Sequence, residues 1–367
     1  MNLNNIKSYG MGISNIMDYY IDNTYRINML DDNEIPESGM EIIDRFNHME
    51  GKLRISVTHA CQLQCQFCHR EGIDPHWVPV HISLNYFRDL IKAYSSIGGL
   101  YIELTGGEPL CHPEIQNLVE IGSSRRRHLI ICTNGLLLNK IQTQLEAGLV
   151  HQIKLSLHST SNSSVSKRLL GDAWDIKLIE RNVAGVLKTG TKIQLIYTHT
   201  RKNSACLPMV LELALKWRAD LQVIDLICSR NLNPETNLGY VSGNESEQIV
   251  AKYAKFKRKI HDRTGSVLKL YQPDNGLNWE IKDYHYGLFN SRMCEGCQQK
   301  IQCGEGVYTL RVDALGVFKP CLLRKDLDFI VDQASPDPNH LIGVIQQQLN
   351  KMLEPRSITE GIYANRN

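Results

Sequence analysis

From residue 52 onward, apolar and polar positions fall into a rhythm. Short runs rich in β-branched residues alternate with longer stretches whose apolar residues recur every three or four positions. "KLRISVTH", "LYIELTGG", "HLIICTNG", "VHQIKLSLH", "KIQLIYTHT" and "LQVIDLI" read as strands. "ISLNYFRDLIKAYSSIG", "PEIQNLVEIGSS", "LLLNKIQTQLEAG", "WDIKLIERNVAGVLKTG", "ACLPMVLELALKWRA" and "ESEQIVAKYAKFKRKIHDRTG" read as helices, with Gly148 and Gly190 placed to close two of them. Strands alternating with helices predict βαβ units and an α/β fold around a parallel sheet. Periodicity alone does not separate an open sheet from a barrel. The polar and glycine signals, however, sit just after the strands: a cysteine loop after the first, "TGGEP" after the second, "TNG" after the third, "SLH" ending the fourth. A parallel barrel gathers such ends on one face, so a barrel with a common mouth is expected. The first 50 residues lack strong periodicity, and "DDNEIPESG" reads as a loop. After about residue 285 the rhythm stops and a cysteine-rich segment follows. The expected division is an N-terminal extension (1–50), a barrel (51–285) and a C-terminal segment (286–367).

Composition narrows the class. Of 367 residues 42% are apolar, enough for a large core, and 41 basic against 39 acidic residues leave a net charge of +2. That balance speaks against a nucleic-acid partner, which normally demands a basic stripe. The opening "MNLNNIKSYGMGISNIMDYY" has no signal-peptide pattern, and no apolar run reaches the roughly 18–20 residues of a membrane span. A cytoplasmic protein with no membrane partner is expected. Eleven cysteines in a reducing compartment argue against disulfides. Cys111, Cys132, Cys206 and Cys228 are scattered among apolar neighbours and read as core packing. "RRR" at 125–127 is placed at a helix end, where cations suit the dipole. "KYAKFKRK" reads as the basic side of a helix, a solvated face or a weak site for an anionic partner such as a carrier or reductase.

The other seven cysteines form two groups. In "CQLQCQFCHR", Cys61, Cys65 and Cys68 follow the first strand with spacings of three and two. A zinc site takes four ligands, and His69, directly after Cys68, is badly placed to close a tetrahedron with it. An iron–sulfur cube takes one thiolate per iron, so three thiolates leave one iron open for an outside molecule. C-x3-C-x2-C after a first strand, together with "LTGGEP", resembles the radical S-adenosylmethionine (SAM) superfamily. The resemblance implies a partial (β/α)6 TIM-like barrel, a 4Fe–4S cluster on Cys61, Cys65 and Cys68, and SAM on the open iron. SAM would be cleaved to methionine and a 5′-deoxyadenosyl radical that abstracts hydrogen from substrate, with an electron donor such as flavodoxin or ferredoxin. Phe67, Gly106, Gly107, Glu108, Thr133, Asn134 and Ser156 match positions that line the SAM pocket. Arg168, or Lys167 beside it, is a candidate for the methionine carboxylate, against the alternative of a solvated helix face.

The second group, "CEGCQQKIQCGEGVYTLRVDALGVFKPC", holds Cys294, Cys297, Cys303 and Cys321. Its end, cysteine, glycine, four residues and cysteine, resembles the auxiliary-cluster (SPASM and twitch) segment of radical SAM proteins, with Gly316 near the turn of a hairpin that carries Cys321 on its return strand. A second 4Fe–4S cluster is the expected occupant and structural zinc the alternative. Cys303 is either the fourth ligand or spare. Over about residues 50–325 the chain resembles the GTP 3′,8-cyclase family, through "LRISVTHACQLQCQFC", "LTGGEPL", "TNG", "EAGL", "SLHS" and "LRVDALGVFKPCL". Arg54 and Arg311 match arginines that contact GTP there. Tyr101, Glu103, Gln222 and Thr309 stand where that family has basic residues, its C-x2-C-x13-C spacing is not reproduced, and no double glycine matches "GIYANRN". A triphosphate needs several cations. A divergent enzyme with another, small-molecule substrate is therefore expected, with Glu103 and Arg311 as candidate catalytic residues. A GTP cyclase and a peptide-modifying enzyme are the alternatives. Glu103 either faces a polar or cationic substrate group, or points to solvent or pairs with a nearby arginine.

Overall fold

The computed structural model describes residues 42–69, 71, 79–226, 238–260, 266–298, 303, 305–307, 309–332, 337–353 and 356–359. The expected loop "DDNEIPESG" and Cys228 lie outside them. A short helix, α1 (Ile42–His48), precedes the first strand, and its Phe46 is fully buried in the core. The six expected crossover units follow: β1 (Lys52–Thr58), α2 (Leu84–Ser96), β2 (Tyr101–Gly106), α3 (Ile115–Gly122), β3 (His128–Thr133), α4 (Gln142–Glu146), β4 (Gln152–Ser156), α5 (Ser164–Leu170), α6 (Ile176–Thr189), β5 (Lys192–Thr198), α7 (Leu207–Trp217), β6 (Asp220–Ile224) and α8 (Gly243–Val250). Local chemistry sets several boundaries. Ser83 caps α2, Asp175 caps α6 by accepting from the N–H groups of Lys177 and Leu178, and Ser242 with Glu245 forms a capping box on α8.

β1 to β6 are neighbours in chain order and all pairs are parallel. Hairpins extend the sheet at both ends to twelve strands. Beyond β6 lie β9 (Trp279–Lys282), β8 (Leu268–Gln272) and β7 (Lys255–Ile260). Beyond β1 lie β11 (Thr309–Val312), β12 (Val317–Lys319) and β13 (Phe329–Ile330). A separate two-stranded sheet pairs β10 (Leu288–Ser291) with β14 (Arg356–Thr359), and α9 (Pro338–Leu353) packs on α1 and α2. No helix among the described residues is long and apolar enough to cross a membrane.

Three expectations need correction. The last predicted helix stops at Val250, and "KFKRKI" is the edge strand β7, antiparallel to β8. Its lysines recur every second residue, a strand period that we read as helical. Arg125–Arg127 follow α3 rather than ending it; even so, Arg127 donates to the carbonyls of Ile121, Gly122 and Ser123 at 3.2, 3.1 and 2.9 Å, filling the acceptors that a helix end leaves open. Cys321 lies just beyond the return strand, not on it.

The alternation along the strands decides what the barrel encloses. Leu53, Ile55, Ile102, Leu104, Leu129, Ile131, Ile153, Leu155, Leu221 and Val223 join the apolar core under the helices. The residues between them therefore face the other side of the sheet. They include Ile130 and Ile196, but most are polar: Lys52, Arg54, Tyr101, Glu103, His128, Cys132, Gln152, Lys154, Gln194 and Gln222 stand where a closed barrel would normally be filled with Val, Ile and Leu.

Candidate active site

Beyond Thr58 the chain turns at once into the loop of Cys61, Cys65 and Cys68. Gln64 N–H and Gln66 N–H donate to the carbonyls of Leu170 and Leu169 at 3.0 and 2.9 Å. Those carbonyls end α5 and have no partner inside the helix, so loop and helix satisfy each other. Cys68 N–H donates to Cys65 O at 3.1 Å, Leu63 N–H approaches Cys61 Sγ at 3.4 Å, and Cys65 Sγ lies 3.6 Å from Leu170 O. All three cysteines are free thiols, with Cys61 and Cys68 exposed. Although Cys61 reaches the surface, desolvation by the protein atoms crowding its sulfur first, then Glu108 and the neighbouring thiols, pushes it up to about 12. Burial and the other two thiols raise Cys65 as well. Three thiols carried on one loop, with His69 Nδ1 accepting from Glu71 N–H at 3.1 Å, are a donor set that fits a group needing three sulfur ligands. Loading would convert them to thiolates and release protons. Among the described residues, no three His, Cys, Asp or Glu side chains are gathered for a single metal ion.

The "GGE" turn closes over this loop. Gly107 N–H donates to Thr58 O at 2.8 Å and Glu108 N–H to Ala60 O at 2.7 Å. A Cβ on Gly107 would stand 2.4 Å from Ala60 O, and one on Gly106, which has φ +144°, 2.2 Å from Thr58 O. Glycine is thus required because two backbones touch here. Glu108 is buried and accepts from Thr133 Oγ1 at 2.7 Å, Asn134 N–H at 2.8 Å and Leu110 N–H at 3.1 Å. Burial nevertheless pushes it up to about 7. It staples the end of β2 to the end of β3. Asn134 Oδ1 accepts from Leu136 N–H at 3.1 Å and from Gln62 Nε2 at 3.2 Å, and its amide nitrogen is 4.0 Å from Cys61 Sγ. Phe67 sets its ring edge-on to His158 at 4.6 Å. His158 is buried, driven down to about 3 and so neutral; its Nδ1 accepts from Thr198 N–H at 3.1 Å, which leaves the proton on Nε2. Ser156 ends β4, half-buried. Arg168 is exposed on α5 and makes no hydrogen bond, as expected of a solvated helix face.

Behind the mouth lies a charge network. Arg54 stands in register between Glu103 on β2 and Arg311 on β11. It donates to Glu71 Oε1 and Oε2 at 2.6 and 3.1 Å, to Thr105 at 3.3 Å and to Glu103. Glu103 is 2% exposed and also accepts from Lys154 Nζ at 2.5 Å. Burial alone would raise it; Lys154 and Arg54 hold it well below the usual carboxylate range. Burial would raise Glu71, but Arg54, His69 and Arg311 together bring it down to about 2. Arg311 donates to Glu305 at 2.5 Å, and its Nε is 4.0 Å from Glu71. Glu103 therefore pairs with an arginine, one of the two alternatives drawn from the sequence. Cys132 is not core packing: its Sγ faces Arg54 Nη1 at 3.6 Å.

The second cysteine group converges too. Cys294, Cys297, Cys303 and Cys321 line one pocket with Phe289, Met293, Val307, Leu323 and Arg324. None is in a disulfide, and burial pushes Cys321 up to about 12 and raises Cys303. Four sulfur donors around one apolar pocket are the donor set a cubane needs, whereas among the described residues no three of them are gathered for a single zinc ion.

Residues 55–213 match the Radical SAM superfamily. That match, together with the relatives that follow, supports an enzyme of the radical SAM class. It is 26% identical over 302 residues to a protein named probable GTP 3′,8-cyclase from Methanococcus maripaludis, covering 81% of this chain and 92% of that one. It is also 26% identical to the GTP 3′,8-cyclase of Aliarcobacter butzleri, over 78% of this chain and 84% of the relative. Among solved structures it resembles Streptococcus suis SuiB bound to S-adenosylmethionine, with a TM-score of 0.55 at 14% identity over 80% and 67% of the two chains. It also resembles anSMEcpe with bound AdoMet, with a TM-score of 0.51 at 13% identity over 82% and 80%. At such identities the structural likeness speaks for the fold, a partial TIM-like barrel.

For a radical SAM enzyme the "GGE" and "TNG" turns are thus fixed first by contacts inside the protein: Glu108 and Thr133 bind each other, and Gly106 and Gly107 let the cysteine loop dock. Sequence reasoning missed Glu71, Lys154, Glu280, Glu305 and His158. Lys154 and Glu280 had a usable signal, since each is a polar residue alternating with buried apolar ones in "QIKLS" and "WEIK". Glu71 and Glu305 lie in irregular segments, where no periodicity marks them.

Proposed function

We propose that this radical SAM enzyme holds one 4Fe–4S cluster on Cys61, Cys65 and Cys68 and a second on Cys294, Cys297, Cys303 and Cys321, and acts on a small molecule that is not a nucleoside triphosphate. When bound, the first cluster would supply the one electron that breaks the bond between the sulfur and the 5′ carbon of SAM, releasing methionine and leaving the 5′ carbon able to take hydrogen from the substrate. The chain's own part is to hold three thiols at the mouth, keep the glycine turn closed against them and line the chamber beneath.

The observation that carries the substrate reading is the pairing of Arg54 and Arg311. In the GTP 3′,8-cyclase resemblance these arginines would meet GTP, yet here they are bonded to Glu71, Glu103 and Glu305. A polyphosphate would have to take the arginines from three buried carboxylates. Each acid left without its cation would cost several kcal/mol. Lys154, too, is engaged by Glu103. The chamber wall is thus close to charge-balanced, which suits a neutral or modestly charged substrate.

Anaerobic reconstitution with iron and sulfide tests both halves. About eight irons per chain and release of 5′-deoxyadenosine under reduction are expected, whereas about four irons would remove the second cluster. Incubation with GTP, SAM and reductant is expected to give no cyclised product. A cyclised product would replace this substrate reading with that of a GTP 3′,8-cyclase, the name its relatives bear.

A further inference from the structure

One acid in the chamber wall is unlike the others. Glu280, on β9, stands in register with Gln222 on β6. Its neighbours Trp279 and Ile281 belong to the core, so Glu280 faces the chamber, where it remains half-exposed in the middle of the sheet. Its one hydrogen-bond donor is Gln222, through Nε2 to Oε2 at 2.9 Å. Oε1 accepts from no described residue and is not sealed from solvent. Whereas Glu71, Glu103 and Glu305 each hold an arginine or a lysine, the charges around Glu280 are mostly of its own sign. Asp220 and Glu50 are near, and Lys154 is already held by Glu103. Gln222 itself occupies a position where the GTP 3′,8-cyclase resemblance expects an arginine.

We propose that Glu280, oriented by Gln222, is the specificity-determining residue of the chamber and receives a cationic amine or guanidine group of the substrate. This rests on the reading of the chamber as a substrate site and adds the sign of the group bound. The argument is electrostatic. Among the described residues this half-buried carboxylate lies beside two acids and is paired with no basic side chain, the nearby Lys154 being bonded to Glu103. A ligand cation would form a charge-assisted hydrogen bond to Oε1 while Gln222 keeps Oε2 in place. Burial and the acids push Glu280 up to about 7, as expected of an acid awaiting its partner. Arginine at position 222 would instead neutralise Glu280 and turn the wall toward anions.

The test uses the full-length, reconstituted protein with SAM and three probes of similar length: 1,4-diaminobutane, 1,4-butanediol and succinate. Calorimetry at pH 8 is expected to show saturable binding of the diamine only. Glu280→Gln, close in shape to the native residue, is expected to weaken it by about ten-fold, the worth of one charge-assisted contact. Gln222→Arg is a second variant with intact Glu280, and it is expected to lose the diamine and gain succinate. Equal diamine affinity in wild type and Glu280→Gln, or succinate as the preferred probe of the wild type, overturns the proposal. Conversion of GTP by the wild type would instead strike the substrate reading beneath it, so the two failures are separable.

Discussion

The mouth of the barrel and the wall of its chamber are built on different principles. The mouth is a backbone structure. The cysteine loop, the "GGE" turn and the end of α5 are joined by main-chain hydrogen bonds, such as Gly107 N–H to Thr58 O and Gln64 N–H to Leu170 O. Side chains matter there mainly by being absent at Gly106 and Gly107. The wall is a side-chain structure, with Arg54, Lys154 and Arg311 meeting Glu71, Glu103 and Glu305 across four strands and two irregular segments. A mouth of this kind keeps one geometry through large sequence change. A wall of this kind changes its selectivity with a few substitutions. On the proposed reading, the cofactor chemistry rests on the mouth and the choice of substrate on the wall.

Removing the sulfur donors should separate the two regions most sharply. Replacing Cys61, Cys65 and Cys68 with alanine is expected to abolish 5′-deoxyadenosine formation and to cost about four irons. Replacing Cys294 and Cys297 is expected to cost about as many while SAM cleavage persists. Deoxyadenosine release from the first variant would show that the mouth is not where SAM reacts.

In the wall, Arg54→Met removes a cation from both Glu71 and Glu103, leaving Glu103 to Lys154 alone and Glu71 to the more distant Arg311. Loss of one partner from a buried ion pair costs about 3–5 kcal/mol, so a lowered melting temperature is expected. The double variant with Glu103→Gln should recover part of it. An unchanged melting temperature would mean that the network is loose. Gly107→Ala attacks the mouth instead, through a 2.4 Å clash with Ala60 O. Overpacking of this kind costs about 1–3 kcal/mol, and SAM affinity should fall along with stability. If the variant melts lower yet binds SAM as before, the turn shapes the fold and not the cofactor site.

The two regions should also respond to pH in opposite senses. Glu71 and Glu103 lie below the usual carboxylate range, so their stabilisation is present above about pH 4.5 and is lost as pH falls toward about 2. Glu108, raised to about 7, favours the native state in its protonated form, so its contribution is lost as pH climbs from about 4.5 to 7. Urea titrations should show the acid limb flattened by Glu103→Gln and the neutral limb flattened by Glu108→Gln. The same limb changing in both variants would remove the distinction. The smallest effect is expected at Arg168, exposed and without a hydrogen bond. Arg168→Ala should alter stability by less than ~0.5 kcal/mol and leave SAM affinity as it was. A ten-fold loss of SAM affinity would restore Arg168 as a candidate for the methionine carboxylate.

How much was legible follows the same division. The order of six strands and the loops after them could be read from periodicity and punctuation, because each βαβ unit is closed by residues near one another in sequence. Cys61, Cys65 and Cys68 span eight residues, and the loop that carries them is stitched largely to itself and to one helix end. The strand β7 was misread, because the lysines of "KFKRKI" fit two periods and pairing with β8 chose between them. Glu103 was singled out correctly as unusual, yet nothing local says that Arg54 and Lys154 saturate it.

The sequence by itself determined the alternation of apolar and polar positions, the glycine turns and the cysteine spacings, since each depends on neighbours along the chain. Only the tertiary structure decided which charges meet inside the barrel, as Glu103 meets both Arg54 and Lys154. Electrostatic partnership depends on distances of a few ångströms between residues as far apart in the chain as Arg311 and Glu71, and such distances exist only once the sheet has curled.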